Sequence, residues 1–116
     1  MKYENDDNIG LVIVSYDSFA KCISVIRKYN PVSISEIKKR IETKKYVLDC
    51  RYTSTSGVRK IRRCYDELTK NGVVVEIYEH GDLTSREFIS NLLGMYQEIE
   101  REIDDMIDLE TEQDED

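Results

Sequence analysis

Proline occurs once in this chain and glycine five times, so neither a Gly/Ser linker nor a proline-rich spacer divides it, and no segment repeats another. No stretch approaches the ~20 consecutive apolar residues of a membrane span, which excludes a spanning helix. The opening residues Met1 to Asp7 lack the basic end and apolar run of a secretory signal, so the cytoplasm is the expected location. Histidine occurs once. His80 stands in Glu79-His80-Gly81-Asp82 with no serine or cysteine placed to be its nucleophile, and it reads as a turn residue. Three cysteines, Cys22, Cys50 and Cys64, are an odd number at spacings of 28 and 14, which fit neither a redox pair nor a paired metal motif. With His80 they offer zinc-ligand types without zinc-ligand spacing, and they read as buried thiols. Asp104-Asp105 is a carboxylate pair set among other charges, and the glycines form no phosphate-cradling motif. No catalysis, cofactor or metal is expected.

What remains is enough for one small domain: 116 residues, 40% hydrophobic and 35% charged. The net charge of −7 hides an asymmetry. Residues 97–116 hold eleven acids against Arg101, whereas residues 18–70 hold fourteen Lys or Arg against five acids. A basic body carries an acidic tail, which bears on partners and long-range field rather than on fold.

Along the chain, Gly10 to Tyr16 is an aliphatic, β-branched run of strand length. Ser18 can cap a helix with Phe19, Cys22, Ile23, Ile26 and Tyr29 on one face, ending at Asn30-Pro31. Ser33-Ile34-Ser35-Glu36 has the form of a capping box and opens a shorter helix with Ile34, Ile37 and Ile41 together. Tyr46 to Tyr52 reads as a strand with Val47, Asp49 and Arg51 on one side and Tyr46, Leu48, Cys50 and Tyr52 on the other. After the polar loop 53–57 a third helix turns Val58, Ile61, Tyr65 and Leu68 inward and stops at Asn71-Gly72; Val73 to Tyr78 is the third strand. His80-Gly81-Asp82 turns the chain, and Thr84-Ser85-Arg86-Glu87 is a second capping box that opens a long helix to about residue 109. The expected fold is α+β: a three-stranded antiparallel sheet with three helices on one face, in the order strand-helix-helix-strand-helix-strand, plus the long C-terminal helix. The expected organisation is a disordered 1–9, a domain over 10–80, the helix over 81–109 and a disordered acidic tail over 110–116. The core is expected to join Val12, Val14, Ile23, Ile26, Ile37, Val47, Leu48, Ile61, Leu68, Val74 and Val75.

The stretch Ile23 to Glu42 resembles the C-terminal domain of the bacterial ribosomal stalk protein of the large subunit. Ile26-Arg27 stands where that family has Val-Arg; Ile34-Ser35-Glu36-Ile37-Lys38 keeps the aliphatic, Glu and Lys positions of its Leu-Lys-Glu-Ala-Lys while losing the glycines before it. Gly57 to Ile77 is similar to the family's last helix, its glycine stop (Gly72) and its closing Val-Glu-Val strand (Val75-Glu76-Ile77), after a short insertion over 51–55. The likeness covers roughly residues 10–78 and implies the sandwich shared with the Clp protease adaptor fold. It also implies a contact surface on the first two helices, carried here by Ile23, Arg27 and Lys38, with Ser24 in place of a family lysine. The family's dimerisation region and hinge have no counterpart here, so a stalk protein itself is not expected.

The expected function is therefore a non-catalytic protein-binding module or adaptor. An acidic immunity protein that neutralises a basic toxin through Asp104, Asp105, Asp108 and Glu110 is the alternative. RNA binding comes third: Arg59, Arg62 and Arg63 with the lysines of the second helix could meet phosphates while Tyr46, Tyr52 and Tyr65 stack on bases, but no RNA-binding signature accompanies them. Ile99, Ile103 and Met106 continue an apolar 3-4 spacing past what a small domain covers, which suggests a homodimer through the long helix.

Overall fold

A computed structural model describes residues 8–96. It is α+β, with β1 (Asn8–Ser15), α1 (Phe19–Tyr29), α2 (Ile34–Glu42), β2 (Leu48–Arg51), α3 (Thr55–Lys70), β3 (Val74–Glu79), β4 (Asp82–Thr84) and a last helix, α4, over 86–96. The strands form one antiparallel sheet in the order β2-β1-β3-β4. The sheet thus has four strands rather than the expected three. The fourth arises because His80 (φ 55°) and Gly81 (φ 84°) both take left-handed conformations, making a two-residue hairpin of the type whose twist matches its strands. The turn expected at His80-Gly81-Asp82 is there, and it leads back into pairing.

Each helix begins on a serine whose side chain accepts a backbone N–H in the first turn. Ser18 accepts from Lys21 at 3.2 Å, Ser33 from Glu36 at 3.1 Å, Ser54 from Gly57 at 3.0 Å and Ser85 from Phe88 at 3.3 Å. The last cap lies one residue later than expected, because Thr84 is held in β4 opposite Ile77. α1 ends at Asn30, whose side chain donates to the Val47 carbonyl, and α3 ends at Asn71 and Gly72 (φ 80°) with Val73 N–H returning to the Leu68 carbonyl. α2 closes on Lys44, a left-handed position (φ 56°), and its ammonium reaches the carbonyls of Ile13 and Val14.

Central β1 is buried on both faces. Ile9, Leu11 and Ile13 point into the main core with Leu48, Val75 and Ile77, under Ile23, Ile26, Ile37, Ile61, Leu68 and, from α4, Ile89, Leu92 and Leu93. On the other face Gly10 lies beneath the Tyr46 ring, where an added Cβ would sit 2.4 Å from Cγ, and Tyr46 tilts against Tyr78 with centroids 6.4 Å apart. Three expected core residues are not in the main cluster: Val14 is 40% and Val74 53% exposed, and Val12, though buried, lies on the Gly10 face. A register shift between Ile13 and Ser15 leaves Val14 as an extra residue and sets Val74 opposite Ser15 at the end of the ladder. Val47 and Leu48 are both buried, because residue 47 precedes the strand in a bend, so strict alternation holds only from Leu48 onward. Ile34, expected beside Ile37 and Ile41, is half exposed at the first turn of α2. Asn8 and Ile9, expected outside the domain, pair with Arg51 and Cys50, while the rest of the expected disordered N-terminus, 1–7, lies outside the described residues. Among the described residues no helix is long and apolar enough to cross a membrane.

Candidate protein-binding site

α1 and α2 are joined by only four residues, so they lie side by side, and the apolar stripe of α1 is wider than the sheet below it can cover. Between them runs a groove of about 450 Å³ lined by Phe19, Ala20, Ile23, Ser24, Arg27 and Ile34. Ile23 is buried and forms its floor; Ile34, half exposed, forms its α2 wall. Arg27 stands at one end, where its Nε donates to the Val32 carbonyl at 3.1 Å. At the other end Phe19, its ring 5.5 Å from that of Tyr16, also borders a second depression of about 250 Å³ with Tyr16, Lys38, Ile41 and Glu42. Of the residues assigned to the contact surface, Ile23 and Arg27 therefore share one groove and Lys38 closes the adjoining one.

The basic residues of α3 do not join them. Arg62 acts on Asp66, whose carboxyl is held below its usual range first by a hydrogen bond from Arg86. Arg63 acts instead on Tyr29, on the α1 flank. Arg59 is half-buried and has a partner of its own. Arg59, Arg62 and Arg63 stand at i, i+3 and i+4 along α3, and none of them lines the α1–α2 groove. Asp104, Asp105, Asp108 and Glu110, and the apolar Ile99, Ile103 and Met106, lie outside the described residues.

The polar contacts elsewhere tie helices together. Glu67 on α3 takes Lys28 and the Tyr29 hydroxyl (2.8 Å) from α1, which lowers its own pKa, while burial and that carboxylate push Tyr29 up to about 12. Arg86 bonds both oxygens of Asp66, at 2.7 and 2.8 Å, and locks α4 to α3. His80 lies 3.0 Å from the Glu79 carboxylate and edge-on to Tyr52 at 4.8 Å. Burial pushes the thiols of Cys22 and Cys50 up to about 11 and that of Cys64 to about 12, far from thiolate reactivity at neutral pH. Among the described residues no three His, Cys, Asp or Glu side chains are placed to hold a metal ion.

Sequence reading missed Phe19, Tyr16 and Ile34 as surface residues. Spacing carried no signal for Ile34, which stands at i, i+3 and i+7 with the buried Ile37 and Ile41. No protein-family model, no curated protein and no solved structure matches the chain.

Proposed function

We propose that this chain is a non-catalytic protein-binding module whose contact surface is the α1–α2 groove. The observation that carries this reading is an apolar groove, floored by Ile23 and left open at Phe19 and Ile34, with Arg27 at one end and Lys38 beyond the other. The helices are those that the resemblance to the ribosomal stalk C-terminal domain marks for contact, and the order β1-α1-α2-β2-α3-β3 suits that comparison. A partner segment that presents an apolar side chain between carboxylates would satisfy both features. Covering the open half of Ile34 alone is worth about 1 kcal/mol, and small apolar anchors of this kind carry most of an interface's energy when they are ringed by polar contacts.

The test places a photo-reactive amino acid at Ser24 in the full chain and cross-links in native lysate. Ile34→Asp should reduce capture of the specific partner about tenfold or more, the equivalent of about 1.4 kcal/mol, while leaving thermal unfolding unchanged. Capture that is indifferent to Ile34→Asp would overturn the assignment.

A further inference from the structure

On the flank of α2 away from that groove, two depressions meet. One, of about 460 Å³, lies between α2, β2 and the first turns of α3 and is lined in part by Arg40, Asp49, Ser56 and Lys60. The other, of about 350 Å³, shares Arg40 and Asp49 and adds Glu36, Lys39 and Lys45. The combined surface therefore holds four cations and two carboxylates. Both carboxylates are already engaged, Glu36 by Arg40 at 2.8 Å and Asp49 by the Asn8 amide at 2.8 Å, whereas Lys60 has no ion-pair partner among the described residues. Among the described residues β2 is an edge strand, with nothing paired on its outer side.

The course of α4 brings the chain to this place. Arg86, at its start, is bonded to Asp66 toward the C-terminal end of α3, and Tyr96, at the other end of the described segment, donates its hydroxyl to the Tyr52 carbonyl at 2.7 Å. Tyr52 is two residues from Ser54, the cap of α3, and both Ser54 and Cys50 border the larger depression. α4 is thus antiparallel to α3 and leads past the N-terminal end of α3 beside the basic surface. The residues that follow, 97–116, carry eleven acids and one base. The segment follows directly on Tyr96, whose hydroxyl is bonded to Tyr52 close to Cys50 and Ser54 at the border of the larger depression.

We propose that the acidic segment 97–116 is the occupant of this groove, an intramolecular acidic peptide ligand for Lys39, Arg40, Lys45 and Lys60. Tethering supplies the affinity that exposed ion pairs lack, because a ligand attached through a short linker acts at an effective concentration in the millimolar range. The consequence is regulatory: external polyanions compete with the segment for these cations, and the basic body presents less positive field to solution.

The experiment uses the full chain and a variant with Asp104, Asp105, Asp108, Glu110, Glu112, Asp114, Glu115 and Asp116 changed to the corresponding amides. Backbone amide spectra at about 20 mM salt should differ between the two at Lys45, Ser56, Gly57 and Lys60 and coincide at Ser24 and Ile34. At about 500 mM salt the native spectrum should move onto that of the variant, since screening then acts over only a few Å. Introducing Lys45→Gln with Lys60→Gln should abolish the difference at low salt. Linear polyphosphate should bind the amide variant about tenfold more tightly than the native chain at the lower salt, the two converging at the higher. Coincident spectra at low salt, differences centred away from the groove, or equal polyphosphate affinity would each overturn the proposal.

Discussion

Replacing Gly10 with alanine should invert its own sign according to what stands at residue 46. In a strand, alanine is ordinarily better than glycine by about 0.5–1 kcal/mol, because glycine loses more backbone freedom on folding. Here the added Cβ would meet Cγ, Cδ1 and Cδ2 of Tyr46 at 2.4 to 2.5 Å, more than 1 Å inside normal carbon contact. The ring cannot yield cheaply. Tyr46 is only 7% exposed and leans on Tyr78, so displacing it uncovers Gly10 and breaks the ring pair. Overpacking of this kind costs about 1–3 kcal/mol. In a Tyr46→Ala background the obstruction is gone, and Gly10→Ala should stabilise by about 0.5–1 kcal/mol. The coupling between the two sites is then about 1.5–4 kcal/mol. Urea unfolding followed by far-ultraviolet circular dichroism, on the native chain, both single variants and the double, measures it directly. A Gly10→Ala effect of the same sign and size in both backgrounds, a coupling within about 0.5 kcal/mol of zero, would refute the packing described for this face.

Two further expectations concern the core and the charges. Ile26 is fully buried between α1 and the sheet, so Ile26→Ala should cost about 2–5 kcal/mol in the same urea experiment, and an unchanged midpoint would contradict its placement. Asp66, Glu67 and Glu36 are held below their usual range by Arg86, Lys28 and Arg40 respectively; the stability they contribute is complete above the ordinary carboxylate range and is lost as pH falls through their lowered values. The melting temperature should thus fall below about pH 4, and less steeply in Asp66→Asn; an identical acid slope in that variant would exclude the Arg86 pair as a source.

How far the sequence reveals this fold depends on the range over which each signal acts. The serine caps at Ser18 and Ser33 and the Asn71-Gly72 stop act over three or four residues and are readable directly, whereas α3 starts at Thr55, inside the expected loop 53–57. Strand existence was readable too, but facing was not. Val14 and Val74 look like core residues by side chain, but each alternates with an inward neighbour, Ile13 and Val75, and stands at the irregular end of the β1–β3 ladder. β4 was hidden because three residues, Asp82 to Thr84, carry no periodicity, and because its hairpin uses a histidine at a left-handed position that usually favours glycine or asparagine. For the site, Ile23, Arg27 and Lys38 came from resemblance, whereas Phe19, Tyr16 and Ile34 depend on how two helices lie against each other. No spacing within a single helix encodes that.

The pairing of β1 carries a consequence for how the chain is made. Leu11 lies opposite Leu48 and Ile77, partners 37 and 66 residues further along, so the central strand has no neighbour until much later sequence arrives. At about 5–20 residues per second a translating ribosome delivers Ile77 roughly 3–13 s after Leu11. Until β2 arrives, this aliphatic, β-branched strand has both edges open, and the edge that takes β3 stays open until Ile77 is made, the state in which strands seek each other on neighbouring chains. Only α1 and α2 are at hand to shelter it, with Ile23, Ile26 and Ile37 sharing its core cluster in the finished domain. Early docking of these helices would act as a built-in chaperone for β1, and growth temperature or codon usage across residues 48–77 would set how long that protection has to last.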